Sequence, residues 1–173
     1  MRYRLATLAA ILVVALLIPG QVIAQTDVHT QGLGLTTAEL TARYGAPLED
    51  IMGDAYDGDA YEVGNGKLVA YSLLGDPAPI IERIFILPVS YSDAVMASRT
   101  LMPDDAVTVG QYVNDADIVV DVYTSEWLST KYSDPEDWEG AAPGTFTVSY
   151  GAYNPMLGTD QVTVMMLVLG DAP

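Results

Sequence analysis

The sequence predicts an α+β domain: an antiparallel sheet of about seven strands with two short helices packed on one face. Three observations predict it. Segments rich in β-branched and aromatic residues are separated at short intervals by Gly, Pro, Asn and Asp. Two segments with helical spacing carry their own caps and stops. From Leu35 onward the order is helix, three strands, helix, four strands, which lacks the regular strand–helix alternation of a parallel sheet.

The chain opens on a leader. Met1, Arg2, Tyr3 and Arg4 form a basic start, Leu5 to Ile18 is apolar apart from Thr7, and Pro19-Gly20 ends the run. Val22-Ile23-Ala24 has the small-residue pattern that signal peptidase reads, which places cleavage between Ala24 and Gln25. The competing outcome is a retained anchor, but a membrane-crossing helix needs roughly 20 apolar residues, and this run is shorter and broken. Residues 25–32 read as a flexible tail, and 33–173 as a single domain with sub-lobes at 33–88 and 90–170.

Within the domain, Leu35-Thr36-Thr37-Ala38-Glu39-Leu40 starts the first helix. Thr36 caps it, Glu39 reaches back three residues, and Leu35 and Leu40 form a hydrophobic staple. Gly45 and Pro47 stop it, giving a helix over 37–44. Tyr61–Val63 and Leu68–Leu74 flank Gly64-Asn65-Gly66-Lys67 as a hairpin. Ile80–Leu87 is apolar on both faces except at Glu82 and Arg83, as a central strand would be. Ser90 opens a second helix with Tyr91, Ala94, Val95, Ser98, Leu101 and Met102 on one face, and Pro103 ends it. Strands follow over 107–113, 117–124, 145–150 and 161–169, the last apolar on both faces and so expected to be buried. Between them, Ser125 caps a short helix over 126–131 and Pro135 begins a further turn.

Composition excludes several functions. The leader carries two of the seven bases and no acid, so the remainder has five bases against 23 acids, a formal charge of −18. Affinity for nucleic acid and for anionic membrane surfaces rests on clustered Lys and Arg, so neither is an expected partner, and no stable membrane association follows leader removal. Cysteine is absent, which removes thiol nucleophiles, cysteine-ligated zinc, iron–sulfur clusters and a lipoprotein anchor. The one histidine, His29, lies in the expected tail, a poor support for a catalytic triad.

Gly34-Leu35-Thr36-Thr37-Ala38-Glu39-Leu40, then Tyr44-Gly45-Ala46-Pro47, then the tyrosine-rich hairpin resemble the helix–sheet module of the β-lactamase-inhibitor-protein-like fold, shared with the SmpA/OmlA outer-membrane lipoproteins. The resemblance covers residues 33–74. It implies a non-catalytic surface that binds another envelope or extracellular protein. The chain departs from those lipoproteins in lacking their anchoring cysteine, and from the inhibitor in lacking disulfides.

Three groups of residues are candidate sites. Asp54, Asp57 and Asp59 form a spaced carboxylate cluster of the type that coordinates calcium, the only cofactor the pattern suggests, though without EF-hand spacing. Asp104-Asp105, and Glu136, Asp137 and Glu139 beside Trp138, are raw material for a glycosidase-like pair of acid and base. Trp127, Tyr132 and Trp138 in the acidic stretch 125–144 either present a binding surface or fold back as a lid over the sheet. The function expected from these features is a secreted or cell-envelope binding or accessory domain. The alternatives are a small carboxylate-based hydrolase and a calcium-binding envelope protein.

Overall fold

A computed structural model of the chain describes residues 28–52, 57–72, 77–116, 118–138, 140–151 and 161–170. The leader with its Ala24–Gln25 junction, and Asp54 and Glu139, lie outside the described residues.

The chain runs α1 (Thr37–Tyr44), β1 (Glu49–Met52), β2 (Asp57–Glu62), β3 (Gly66–Ser72), β4 (Ile80–Ser90), α2 (Tyr91–Leu101), β5 (Val107–Val113), β6 (Val119–Thr124), α3 (Glu126–Lys131), a 3-10 turn (Pro135–Trp138), β7 (Thr145–Gly151) and β8 (Gln161–Leu169). The strands form one eight-stranded sheet in the order β1-β2-β3-β4-β8-β7-β6-β5, with every neighbouring pair antiparallel. This is the expected α+β class with one strand more than expected. The added strand is β1, whose Glu-Asp-Ile-Met sequence has neither alternation nor β-branched runs to announce it. It forms because β2 offers it a paired register from Asp57 to Ala60.

The topology is two helix-plus-meander units. In each, one helix leads into four consecutive strands, α1 with β1–β4 and α2 with β5–β8, and the fourth strands meet at the centre of the sheet. The central pairing of β4 with β8 is regular from Ile80–Val168 to Ile84–Val164, then breaks before Val89–Val162. The extra residues of β4 bulge outward, leaving Ile86 and Leu87 75% and 66% exposed. Asn65 from the β2–β3 turn clamps this bulge: its side chain donates to Leu87 O and accepts from Leu87 N–H. Gly66 sits at φ 139°, and a Cβ there would lie 1.9 Å from Ile84 O, so only glycine allows the turn to reach β4.

The core lies on one face of the sheet. Tyr61, Leu68, the buried Arg83, Met165 and Tyr150 form one row across adjacent strands, and Ala70, Ile81, Leu167 and Val148 the next. Leu33, Leu35 and Leu40 from the α1 region, Ala94 and Leu101 from α2, Leu128 from α3 and Trp138 pack against these rows. The chain thus seals one side with every helix it has described.

The central strands were expected to be buried on both faces. From Val164 onward β8 alternates instead, burying Met165, Leu167 and Leu169 and leaving Val164, Met166 and Val168 half-buried. No described helix packs on that second face. Residues His29 to Leu33, at the end of the expected tail, are tied to the end of α2. Gln31 N–H donates to Thr100 O, Leu33 N–H to Leu101 O, and the buried Thr30 hydroxyl to Leu101 O. Among the described residues no helix is long and apolar enough to cross a membrane.

Candidate functional site

The aromatic residues of the 125–144 stretch take the lid arrangement. Trp138 is 2% exposed and Tyr132 7%, with their rings edge-to-face at 6.1 Å. Trp127 is half-buried. Its ring lies against Gly34, where a Cβ would come within 2.7 Å, and under Lys131 Nζ at 4.7 Å. An interface built on Tyr132 and Trp138 would have to open the core they close.

The carboxylates are placed by other duties. Asp105 accepts from the Ser125 hydroxyl at 2.6 Å and from Trp127 N–H at 2.9 Å, so it helps cap α3. Asp104 accepts from His29 N–H at 3.2 Å. Glu136 and Asp137 stand exposed on the 3-10 turn. None of these four lines the described pocket beside α1, a shallow depression between Leu35, Glu39, Ala42 and Arg43. The carboxylate that does line it, Glu39, accepts from Thr36 N–H at 2.8 Å. That bond, with smaller help from Lys131, holds its pKa below the ordinary carboxylate value and keeps it ionised.

Asp57 and Asp59 lie two residues apart on β2 and so share a sheet face, with Asp50 of β1 directly opposite Asp59. Among the described residues, no group of three or more acidic or histidine side chains is arranged to hold a metal ion.

Two features of the site escape sequence reasoning. The first is a polar cluster on the helix-covered face. Asp121, 8% exposed, accepts from Gln111 Nε2 at 2.6 Å and from the Tyr123 hydroxyl at 3.4 Å. Arg99 of α2 lies over the Tyr123 ring at 5.1 Å, and Tyr150, bonded to Ser98 Oγ at 3.0 Å, meets Tyr91 edge-to-face at 5.0 Å. Burial pushes the pKa of Tyr91, Tyr123 and Tyr150 upward, and the nearby Asp121 charge adds to this in each case. The Ser98–Tyr150, Arg99–Tyr123 and Tyr91–Tyr150 contacts join α2 to β6 and β7, and the Gln111–Asp121 bond joins β5 to β6, so the cluster is a structural network.

The second feature is the sheet face on which no described helix packs. Across it run Ala60, Val69, Glu82, Met166, Ser149 and Val120 in one row, and Tyr71, Ile80, Val168, Thr147 and Val122 in the next. Ala60, Val69, Val120 and Thr147 are buried, and the other seven are half-buried; most of the eleven are apolar. Their one charge is Glu82, which accepts from the Tyr71 hydroxyl at 2.9 Å. Burial first, then the Glu82 hydrogen bond and charge, push the Tyr71 pKa up to about 12. The signal for this face was present as β4 and β8 sequences apolar at both alternations. Which side the helices would leave open was not.

No protein-family model matches the chain, and no curated protein matches it. Among solved structures, it is similar to a cysteine-rich secretory protein from Staphylococcus aureus subsp. aureus Mu50, at 8% identity and a TM-score of 0.40. That match covers 79% of this chain and 43% of the other, so this chain spans less than half the length of the protein it matches.

Proposed function

We propose that the chain is a secreted or cell-envelope binding domain without catalysis, and that the half-buried part of the sheet face on which no described helix packs is its docking surface. The supporting observation is that face itself: Tyr71, Ile80, Val122, Met166 and Val168 form a half-buried apolar strip across the sheet, with no described helix packed on it and one carboxylate, Glu82, at its centre. An apolar patch on a sheet has the composition of an interface core. A partner with a basic rim suits a chain of formal charge −16, or −18 without the leader. The resemblance over residues 33–74 implies the same class of function, a protein-binding surface.

The mature chain, from Gln25, works outside the cytoplasm in this proposal. N-terminal sequencing of protein recovered from the medium or envelope should begin at Gln25. An intact leader on a membrane-bound product would replace release with anchoring.

The test of the docking face is cross-linking of mature protein to the envelope and extracellular proteins of its own host, in parallel with Val168→Lys and Glu82→Gln. A partner whose affinity falls at least about tenfold with Val168→Lys supports the proposal. Melting temperature should be unchanged, and added salt should weaken binding. A partner set indifferent to both substitutions removes this face from the function.

A further inference from the structure

We propose that the free edge of β5 is a self-association site, at which a second copy of this chain adds its own β5 antiparallel across a two-fold axis. This surface is distinct from the docking face above and does not depend on it.

A terminal strand exposes a row of unpaired backbone groups, and proteins usually protect it with charge, proline, shortness or a covering element. The two edges of this sheet differ sharply. β1 has four residues and opens on Glu49 and Asp50. β5, Val-Thr-Val-Gly-Gln-Tyr-Val, has seven and carries no charge and no proline. Six of its seven residues are exposed, and Val107, Val109 and Val113 are 61%, 57% and 60% exposed. Its one irregularity is a bulge between Thr108 and Gly110, beyond which Gly110 to Val113 pair with β6 in unbroken register.

The ladder shows which backbone groups are available. Asn114 N–H donates to Ile118 O at 3.0 Å, so residues 114 and 118 form a hydrogen-bonded pair at the end of the β5–β6 hairpin. Antiparallel alternation then turns the N–H and C=O of Val113 and Gln111 away from β6. A two-fold axis beside residue 112 sets Gln111 of each copy opposite Val113 of the other, where the two exchange both backbone bonds. Such an interface is self-complementary and closes at two copies.

Charge selects this occupant. β5 offers a cationic peptide no ion pair along its own length. It carries no acid, although Asp104, Asp105 and Asp115 flank it, so two acidic copies meet with least repulsion along the strand itself. The consequence is a salt dependence opposite in sign to that of a cationic partner: screening relieves the repulsion between copies and strengthens association.

Sedimentation velocity of the mature chain, from micromolar to near-millimolar concentration and at low and high sodium chloride, tests this. The expected result is a dimer that grows with both concentration and salt. Val109→Lys with Val113→Lys should weaken it at least about tenfold while leaving the melting temperature unchanged. Because the chain has no cysteine, Val113→Cys provides a unique handle, and a short bismaleimide should join two copies through it but not through Glu49→Cys on β1. This arm stands if the lysine variant fails to fold. A wild-type monomer under all conditions would overturn the proposal. So would a dimer that survives the β5 substitutions but is lost with Val168→Lys, or cross-linking that favours Glu49→Cys.

Discussion

Trp138 shows how a residue can be conspicuous in sequence and yet serve the interior. It sits among acids and invites a binding role, but its ring fills space beside Tyr132, and the Gly170 backbone runs against its carbonyl group. Trp138→Ala should cost about 3–5 kcal/mol, as other large-to-small core changes do, measured by urea unfolding. The tyrosines make a second residue-scale prediction. Tyr71 and Tyr150 both ionise above the ordinary phenol value of 10.0, so the folded state holds their protons more tightly than the unfolded chain does. Their contribution to stability is complete below pH 10 and is lost as pH rises through the raised values. Absorbance titration should show several phenols ionising above the ordinary value, with Tyr71 and Tyr150 among the last, and Tyr150→Phe should remove one of the last. It should also cost about 1 kcal/mol for the lost Ser98 bond. Neither burial nor phenol environment is legible from residue type, because both depend on strands distant in sequence.

At the scale of elements, local chemistry was most readable where it is self-contained. In α1 the Thr36 hydroxyl accepts from Glu39 N–H while Glu39 accepts from Thr36 N–H, and Gly45 at φ 91° ends the helix. All of these partners lie within ten residues of one another, so spacing alone revealed them. Thr36→Ala should destabilise the fold by about 1 kcal/mol in chemical denaturation. Because the Glu39 pKa is lowered by folding, the stability tied to its charge is present above the ordinary carboxylate value of 4.5 and disappears as pH falls through the lowered one. Glu39→Gln should therefore flatten the acid limb of stability against pH while leaving the helix content unchanged. Gly66 behaves differently. Gly66→Ala should cost about 2 kcal/mol or more, since it adds both a strained φ and a clash with the β4 backbone. The Asn-Gly turn was legible, but its docking on the β4 bulge was not. Nor was β1, which owes its strand conformation to β2 rather than to its own sequence.

For the whole molecule, periodicity carried the class and nearly all the strands, because alternation and turn residues are written along the chain. The division of the sheet into a helix-covered face and a face without a described helix was not written there. β4 and β8 are apolar at both alternations, and only the placement of α1, α2 and α3 on one side decides which set faces outward. The described candidate carboxylates do not converge because each is drawn elsewhere: Asp105 to the cap of α3, Asp104 to His29, Glu136 and Asp137 to an exposed turn, and Asp57 and Asp59 to β2. The junction of β4 with β8 also has a consequence for assembly. β8 is the last strand of the sheet, yet it bonds both β4 and β7 and lies at the centre. The first meander cannot join the second until residues 161–169 have emerged, so the decisive contacts are those of greatest sequence separation. A chain built this way can close its sheet only when the final strand arrives, however early its first segments are made.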